Sequence, residues 1–188
     1  MPAQKQYITE DKRKVEYIDG VAYMMSSAGT RHNRVGGNFY TILHRFLRKK
    51  RCRVFYETTV KFDDKNQFIP DLMVVCDPSK IKSSFIEGAP DFVAEILSPS
   101  TRRRDLSLKR DTYEKFGVKE YWIIDPRAET IDVYTLEEGK FIMSGSYHNY
   151  TEDELEGLDE EDLAMAKLPL KLSLYDELTV DLAEVFEE

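Results

Sequence analysis

The spacing of apolar residues along this chain changes several times, and each change marks an element. "KVEYIDGVAYMM" alternates on both sides of Asp19-Gly20, which predicts a hairpin. In "GTRHNRVGGNFYTILHRFLRKK" the spacing becomes helical, with Val35, Phe39, Ile42 and Phe46 on one face and Thr30 placed to cap the start. "CRVFYETTVKF", "QFIPDLMVVCD" and "DFVAEILS" then read as three strands, the last bounded by Pro90 and by Ser98-Pro99. A helix follows from about Asp105 to Phe116 and stops at Gly117; "EYWIID" is a strand. "TIDVYTLEEGKFIMSGSY" suggests a hairpin turning at Glu138-Gly139. Beyond it lie an acidic stretch read as a loop or poorly packed helix, "LPLKLSL", and a short helix around "DLAEVF".

The order helix, three strands, helix, strand predicts an α/β domain. Three closely joined strands can form an antiparallel meander, and a strand, a helix of about twelve residues and a further strand normally make a right-handed parallel crossover. The expected fold is a mixed β-sheet flanked by helices, with an added N-terminal hairpin. At 188 residues and 41% hydrophobic content, one domain spanning 1–188 is expected, with an acidic C-terminal extension at about 151–188.

No run approaches the roughly 20 apolar residues of a membrane span, and "MPAQKQYITEDKRK" offers no apolar stretch to a signal peptide, so a cytoplasmic protein is expected. Cys52 and Cys76 lack metal or redox spacing and read as reduced core thiols. The net charge of −8 is unevenly placed: residues 151–188 carry 14 acidic residues against 2 lysines, whereas residues 1–150 carry 25 basic and 21 acidic ones. The body is therefore mildly basic, with clusters at "RKKRCR" (48–53) and "RRRDLSLKR" (102–110). Such runs are most often solvated faces.

Glu95 interrupts the apolar run "FVAEIL", and a buried carboxylate is costly unless it is paired, hydrogen-bonded or bound to a metal. Lys109 falls on the stripe of Leu106, Tyr113 and Phe116 that faces the sheet, and Asp105 stands one turn before it. These three could form a purely structural ion network. Asp71 alters that balance. It opens the strand "DLMVVC", and if this strand runs antiparallel to "DFVAEIL", Asp71 meets Glu95. Two converging carboxylates repel unless a cation lies between them, and Mg²⁺ typically takes one or two protein carboxylates plus waters and phosphate oxygens.

"IPDLMVV" and "GAPDFVAEILSPSTRRRDLSLKRDTYEKFGVKEYWIIDP", together with "VEYIDGVAYMM" and "RHN", resemble the bacterial putative restriction endonuclease family of the PD-(D/E)XK nuclease superfamily. The resemblance spans roughly residues 15–135 and implies metal-dependent hydrolysis of DNA phosphodiesters on a restriction-endonuclease-like fold. It implies that Asp71 and Glu95 hold the metal together with the carbonyl of Ile96, Mg²⁺ being the expected ion and Mn²⁺ a substitute. The superfamily's lysine stands two residues after the acidic residue, where this chain has Leu97; Lys109 is the candidate for a lysine moved to the adjacent helix.

Three further residues are auxiliary candidates. Glu57 reads as an extra carboxylate or as an ordinary solvent-facing glutamate; His32 as a phosphate or metal contact or as a local hydrogen-bonding group; Asp105 as a second partner of Lys109. Glu16 reads as a strand-surface residue, and Tyr121 and Trp122 as core. Arg102, Arg103 and Arg104 lie on the loop leaving the expected metal site, where DNA phosphates would pass. The expected function is a Mg²⁺-dependent DNA endonuclease, and because cutting both strands of a duplex needs two sites a homodimer is expected. The alternative is a nuclease-like fold without catalysis, acting as a DNA-binding or protein-interaction module.

Overall fold

A computed structural model describes residues 14–188; the apolar-poor stretch before them lies outside the described residues. The N-terminal hairpin is β1 (Val15–Ile18) and β2 (Val21–Met24), joined where Asp19 and Gly20 take positive φ, as a tight two-residue turn requires. Helix α1 (Thr30–Leu47) follows, its N-cap being Gly29 rather than Thr30. Six strands come next: β3 (Arg53–Tyr56), β4 (Val60–Lys61), β5 (Gln67–Phe68), β6 (Leu72–Val75), β7 (Ile86–Glu87) and β8 (Phe92–Ile96). The second helical segment is composite: α2 (Arg102–Arg104), a π turn (Asp105–Lys109) and α3 (Arg110–Phe116), closed by Gly117 in the left-handed conformation. Then come β9 (Glu120–Asp125), β10 (Thr130–Glu137), β11 (Lys140–His148), α4 (Glu152–Glu156), α5 (Glu160–Ala166), β12 (Leu170–Lys171), β13 (Thr179–Val180) and α6 (Leu182–Phe186).

The central sheet has six strands in the order β11-β10-β9-β8-β6-β3. Strands β3, β6 and β8 pair antiparallel and β8 pairs parallel with β9, so the meander and crossover combine in a mixed sheet flanked by helices. Two of the expected strands are each divided. "CRVFYETTVKF" leaves the central sheet at Glu57, whose φ of +42° turns the chain. "QFIPDLMVVCD" breaks at Pro70, which cannot donate a ladder hydrogen bond. The freed halves, β4 and β5, join β1, β2 and β7 in a second sheet of order β2-β1-β5-β4-β7.

Alternation along β6 and β8 assigns one set of residues to each face of the central sheet. Leu72, Val74, Phe92, Ala94 and Ile96 pack with α1, where Phe39 stacks on Trp122 at 5.4 Å. Met73, Val75, Val93 and Leu97 face the other layer, with Ile18, Phe68 and Tyr113 from the small sheet and α3. Glu95 shares the parity of Val93 and Leu97 and so points into this second layer. Gly36 lets α1 approach closely: a Cβ there would stand 3.0 Å from both Ile96 Cδ1 and the Tyr56 hydroxyl.

The acidic C-terminal stretch divides in two. Helices α4 and α5 bury no side chain, whereas Leu170, Leu172, Leu178, Val180, Val185 and Phe186 complete the core beside α1. Each such burial contributes about 1.5–3 kcal/mol. The expectation of two reduced thiols is corrected, because Cys52 and Cys76 form a disulfide. The register Arg53↔Val75 explains it: one step outward, Cys52 stands opposite Cys76, with Cα atoms 3.9 Å apart. Among the described residues, no helix is long and apolar enough to cross a membrane.

Candidate active site

Where β6 begins and β8 ends, the central sheet opens onto a cavity of about 360 Å³. Antiparallel pairing of these strands brings their opposite ends together, so Asp71 and Glu95 both line it. Lys109 reaches the same cavity from the π turn, and His32, Glu57 and Lys14 complete its charged lining. Ser98, Ser100 and Thr101 supply hydroxyls at the start of the helical segment.

The centre of the arrangement is Lys109, which is 2% exposed. Its Nζ lies 3.0 Å from Glu95 Oε1, 2.8 Å from Glu16 Oε1 and 3.7 Å from Asp105 Oδ1. The expected helical stripe of Leu106, Lys109, Tyr113 and Phe116 shifts to Asp105, Lys109, Thr112 and Tyr113, because the π turn changes the angular step between its residues. The Tyr113 hydroxyl donates to the same Glu95 oxygen at 2.6 Å. Glu95 is therefore held on one oxygen by an ammonium and a phenol.

Glu16, expected at the strand surface, is instead buried in this cluster, a member that the sequence pattern alone does not reveal. It is 1% exposed, accepts a hydrogen bond from the Ile69 backbone N–H at 2.9 Å and meets Lys109 with the same oxygen. One signal was available: Glu16 alternates with Val15 and Tyr17 and shares its face with Ile18. Seeing it as buried requires knowing that the hairpin joins a second sheet over the central one.

Asp71 is held differently. Its Oδ2 accepts the Ile96 backbone N–H at 2.7 Å and lies 3.4 Å from His32 Nε2. The other ring nitrogen of His32, Nδ1, is buried without a hydrogen-bond partner. Glu57 pairs with Lys14, and its N–H donates to the Asp71 carbonyl at 3.1 Å. The sequence candidates Asp71, Glu95, Ile96, Lys109, His32, Glu57 and Asp105 thus gather in one place.

The three arginines do not line the cavity. Arg102 is tied to Asp125 at 2.5 Å, Arg104 lies over the Tyr23 ring at 5.2 Å, and Arg103 is exposed. Leu97, at the superfamily's lysine position, is buried in the second layer.

The electrostatics follow from one ammonium facing several carboxylates. Burial pushes the Glu95 carboxyl well above the usual range; Lys109 opposes this, while Asp105, Asp71 and Glu16 reinforce it. Asp105 is raised in the same way, by burial first, and neither of its oxygens accepts a hydrogen bond of normal geometry. Burial draws the Lys109 pKa down, but Glu16, Glu95 and Asp105 outweigh it and the ammonium is held well above its ordinary value. Burial also lowers His32, and the hydrogen bond and charge of Asp71 more than restore it. Around Lys109 the cluster gathers three carboxyl groups on one ammonium in a buried setting.

Among the described residues, no three His, Cys, Asp or Glu side chains form a ready metal cage. The carboxylate oxygens of Asp71 and Glu95, which line the same cavity, are the hard donor type that Mg²⁺ takes while keeping several waters.

Comparison with known proteins bears on what this site serves. The family model "Uma2: Putative restriction endonuclease" matches residues 3–174. The uncharacterised protein slr1290 of Synechocystis sp. is 28% identical over 133 residues, covering 69% of this chain and 70% of that protein. The crystal structure of "a putative nuclease belonging to DUF820" from Anabaena variabilis ATCC 29413 superposes with a TM-score of 0.70 at 20% identity, covering 93% of this chain and 90% of that one. At that identity the likeness shows a shared fold.

Proposed function

The chain belongs to the Uma2 family of putative restriction endonucleases, and on that premise we propose that it is a divalent-metal-dependent endonuclease hydrolysing DNA phosphodiesters. The observation that supports this reading best is the charge imbalance: Glu95, Glu16 and Asp105 converge on a single ammonium, with Asp71 across the same cavity. A structural ion network would balance its charges, since an unneutralised buried carboxylate costs several kcal/mol on the order of its desolvation. An excess of carboxylate beside an open cavity suits a cation.

Asp71 and Glu95 would hold Mg²⁺, or Mn²⁺ in its place, with the Ile96 carbonyl; bound there, the ion polarises a phosphoryl oxygen and lowers the pKa of water. The chain's own residues do the rest. Glu16 and Asp105 hold the Lys109 ammonium charged beside Glu95, where it would serve the scissile phosphate or the attacking water. Lys109 thereby takes the role of the lysine absent at Leu97. Tyr113 locks the Glu95 carboxylate, leaving its second oxygen for the cavity. Ser98, Ser100 and Thr101 can donate to phosphate at the rim, and Arg103 extends that surface toward the DNA backbone. Cutting both strands of a duplex takes two such sites, which a homodimer supplies.

A plasmid-nicking assay in Mg²⁺ tests the proposal. Wild type should nick, and Asp71→Ala, Glu95→Gln and Lys109→Met should each fall by about 10³-fold or more while keeping native circular dichroism. Equal activity of the three variants and wild type would reject the mechanism.

A further inference from the structure

The basic run 48–53 stays outside the site described above, and its residues have separate fates. Lys50 pairs with Glu177 at 3.8 Å and lies over the Phe46 ring, while Arg51 donates to the Cys76 carbonyl at 2.9 Å. Arg53 is pinned by backbone carbonyls, those of Cys52 at 3.1 Å and Arg51 at 3.3 Å among them, none of which neutralises it. Arg48 and Lys49 are exposed, and among the described residues neither meets a carboxylate. Three uncompensated cations, Arg48, Lys49 and Arg53, therefore line a second groove of about 340 Å³ between the end of α1 and β3.

The walls of this groove are not polar. Tyr40, half-buried, and His44, stacked on it at 5.5 Å, supply aromatic surface beside the cations, whereas the Phe55 side chain turns into the second layer on the other face of β3. Cations interleaved with aromatic rings suit a single nucleic-acid strand, whose phosphates take the charges and whose bases stack on the rings. A duplex keeps its bases stacked on one another and offers none to a ring.

Position supports the same occupant. β3 is the outer strand of the central sheet, so the groove follows a free edge. From Arg53 at one end of that strand to Glu57 just beyond the other is about 13 Å at strand rise, and Glu57 lines the candidate active site. A strand seated in the groove can run along β3 into the cavity.

We propose that the α1–β3 groove, through Arg48, Lys49 and Arg53 with the Tyr40–His44 pair, binds a single-stranded flank of the nucleic acid whose phosphodiester lies at Asp71 and Glu95. This inference rests on the nuclease reading above and adds to it a second contact point and a preference for substrates with an unpaired segment.

The test is fluorescence anisotropy, without metal, using oligothymidylates of about four and about twelve nucleotides over a range of salt. The paired charge reversal Arg48→Glu/Lys49→Glu is compared with wild type, both shown folded by thermal melting, and Tyr40→Leu serves as a second variant that leaves the charge untouched. Wild type should bind the longer oligonucleotide better. The paired variant should lose about tenfold or more of that affinity, with the log–log salt slope reduced by about 1.4, as loss of two phosphate contacts requires. Tyr40→Leu should weaken binding with the slope unchanged. Identical affinity and slope in wild type and the paired variant would overturn the groove, as would binding of polyglutamate there in place of the oligonucleotide. Nicking by wild type, with Asp71→Ala as the inactive control, run in parallel, separates the two proposals: wild-type cleavage with no groove effect keeps the nuclease reading and overturns this one, and groove binding with no wild-type cleavage does the reverse.

Discussion

Two buried glutamates on neighbouring parallel strands, Glu95 on β8 and Glu120 on β9, are held in opposite ways. Glu120 receives the Trp122 Nε1–H at 2.6 Å, the Ser173 N–H at 2.9 Å and the Ser173 hydroxyl, all neutral donors. Burial raises its pKa, these hydrogen bonds partly oppose that, and among the described residues no second carboxylate shifts it. Glu95 shares one ammonium with Glu16 and Asp105 beside a cavity. The first carboxylate is satisfied and ties the C-terminal segment to the sheet. The second shares its one cation with two other carboxyl groups beside a cavity that a ligand can enter. Burial alone does not mark a functional carboxylate; crowding beside open space does.

The same substitution at both positions should separate them most sharply. Glu95→Gln is expected to lower Mg²⁺-dependent nicking by about 10³-fold, whereas Glu120→Gln should stay within about threefold of wild type. In thermal melting the order reverses. Glu120→Gln turns an accepting oxygen into a donor facing Trp122 and Ser173 and should cost about 1–3 kcal/mol, while Glu95→Gln, which relieves carboxylate crowding, should melt no lower than wild type. If both glutamines destabilise equally and both leave nicking intact, the contrast fails.

Removing the cation probes the crowding directly. Lys109→Met leaves Glu16, Glu95 and Asp105 without compensation and should cost about 3–5 kcal/mol in chemical denaturation; pairing it with Glu16→Gln should recover part of that loss. Alone, Glu16→Gln is expected to reduce kcat about tenfold with KM little changed, because it acts by positioning Lys109. A change confined to KM would place Glu16 in substrate binding instead.

The smallest effect concerns a balanced pair. Burial pushes Asp91 up, but Lys119 at 2.7 Å and the Cys76 N–H at 2.8 Å hold its carboxyl below the ordinary value of 3.8. A lowered folded pKa means that the native state binds fewer protons than the unfolded state. Its stabilisation is therefore present above the ordinary value and lost as pH falls through the lowered one. The melting temperature of Asp91→Asn should decline less steeply with acid than that of wild type; parallel curves would contradict the assignment.

Much of this was legible in the sequence, for local reasons. The hairpin, α1 and the parallel crossover follow from period and turn chemistry, and the meeting of Asp71, Glu95, Asp105 and Lys109 follows from strand ends and a helix face. What could not be read depends on contacts distant along the chain. Glu16 is buried only because the hairpin joins a second sheet, and that sheet exists because Glu57 and Pro70 each end a strand. The Cys52–Cys76 bond needs the β3–β6 register, which no residue near either cysteine announces. The burial of Leu170 to Phe186 against α1 was masked by the acidic residues between them.

The central claim is that the crowded carboxylates form a cation site, and calorimetric titration with Mn²⁺ tests it most directly. The account predicts one site per chain in wild type and in Glu120→Gln, absent from Asp71→Ala and Glu95→Gln, with affinity rising as pH rises above 4.5 because protons compete for the raised Glu95 carboxyl. A folded wild type that binds no Mn²⁺, or binds it unchanged in both site variants, would contradict the claim and reduce the cluster to packing.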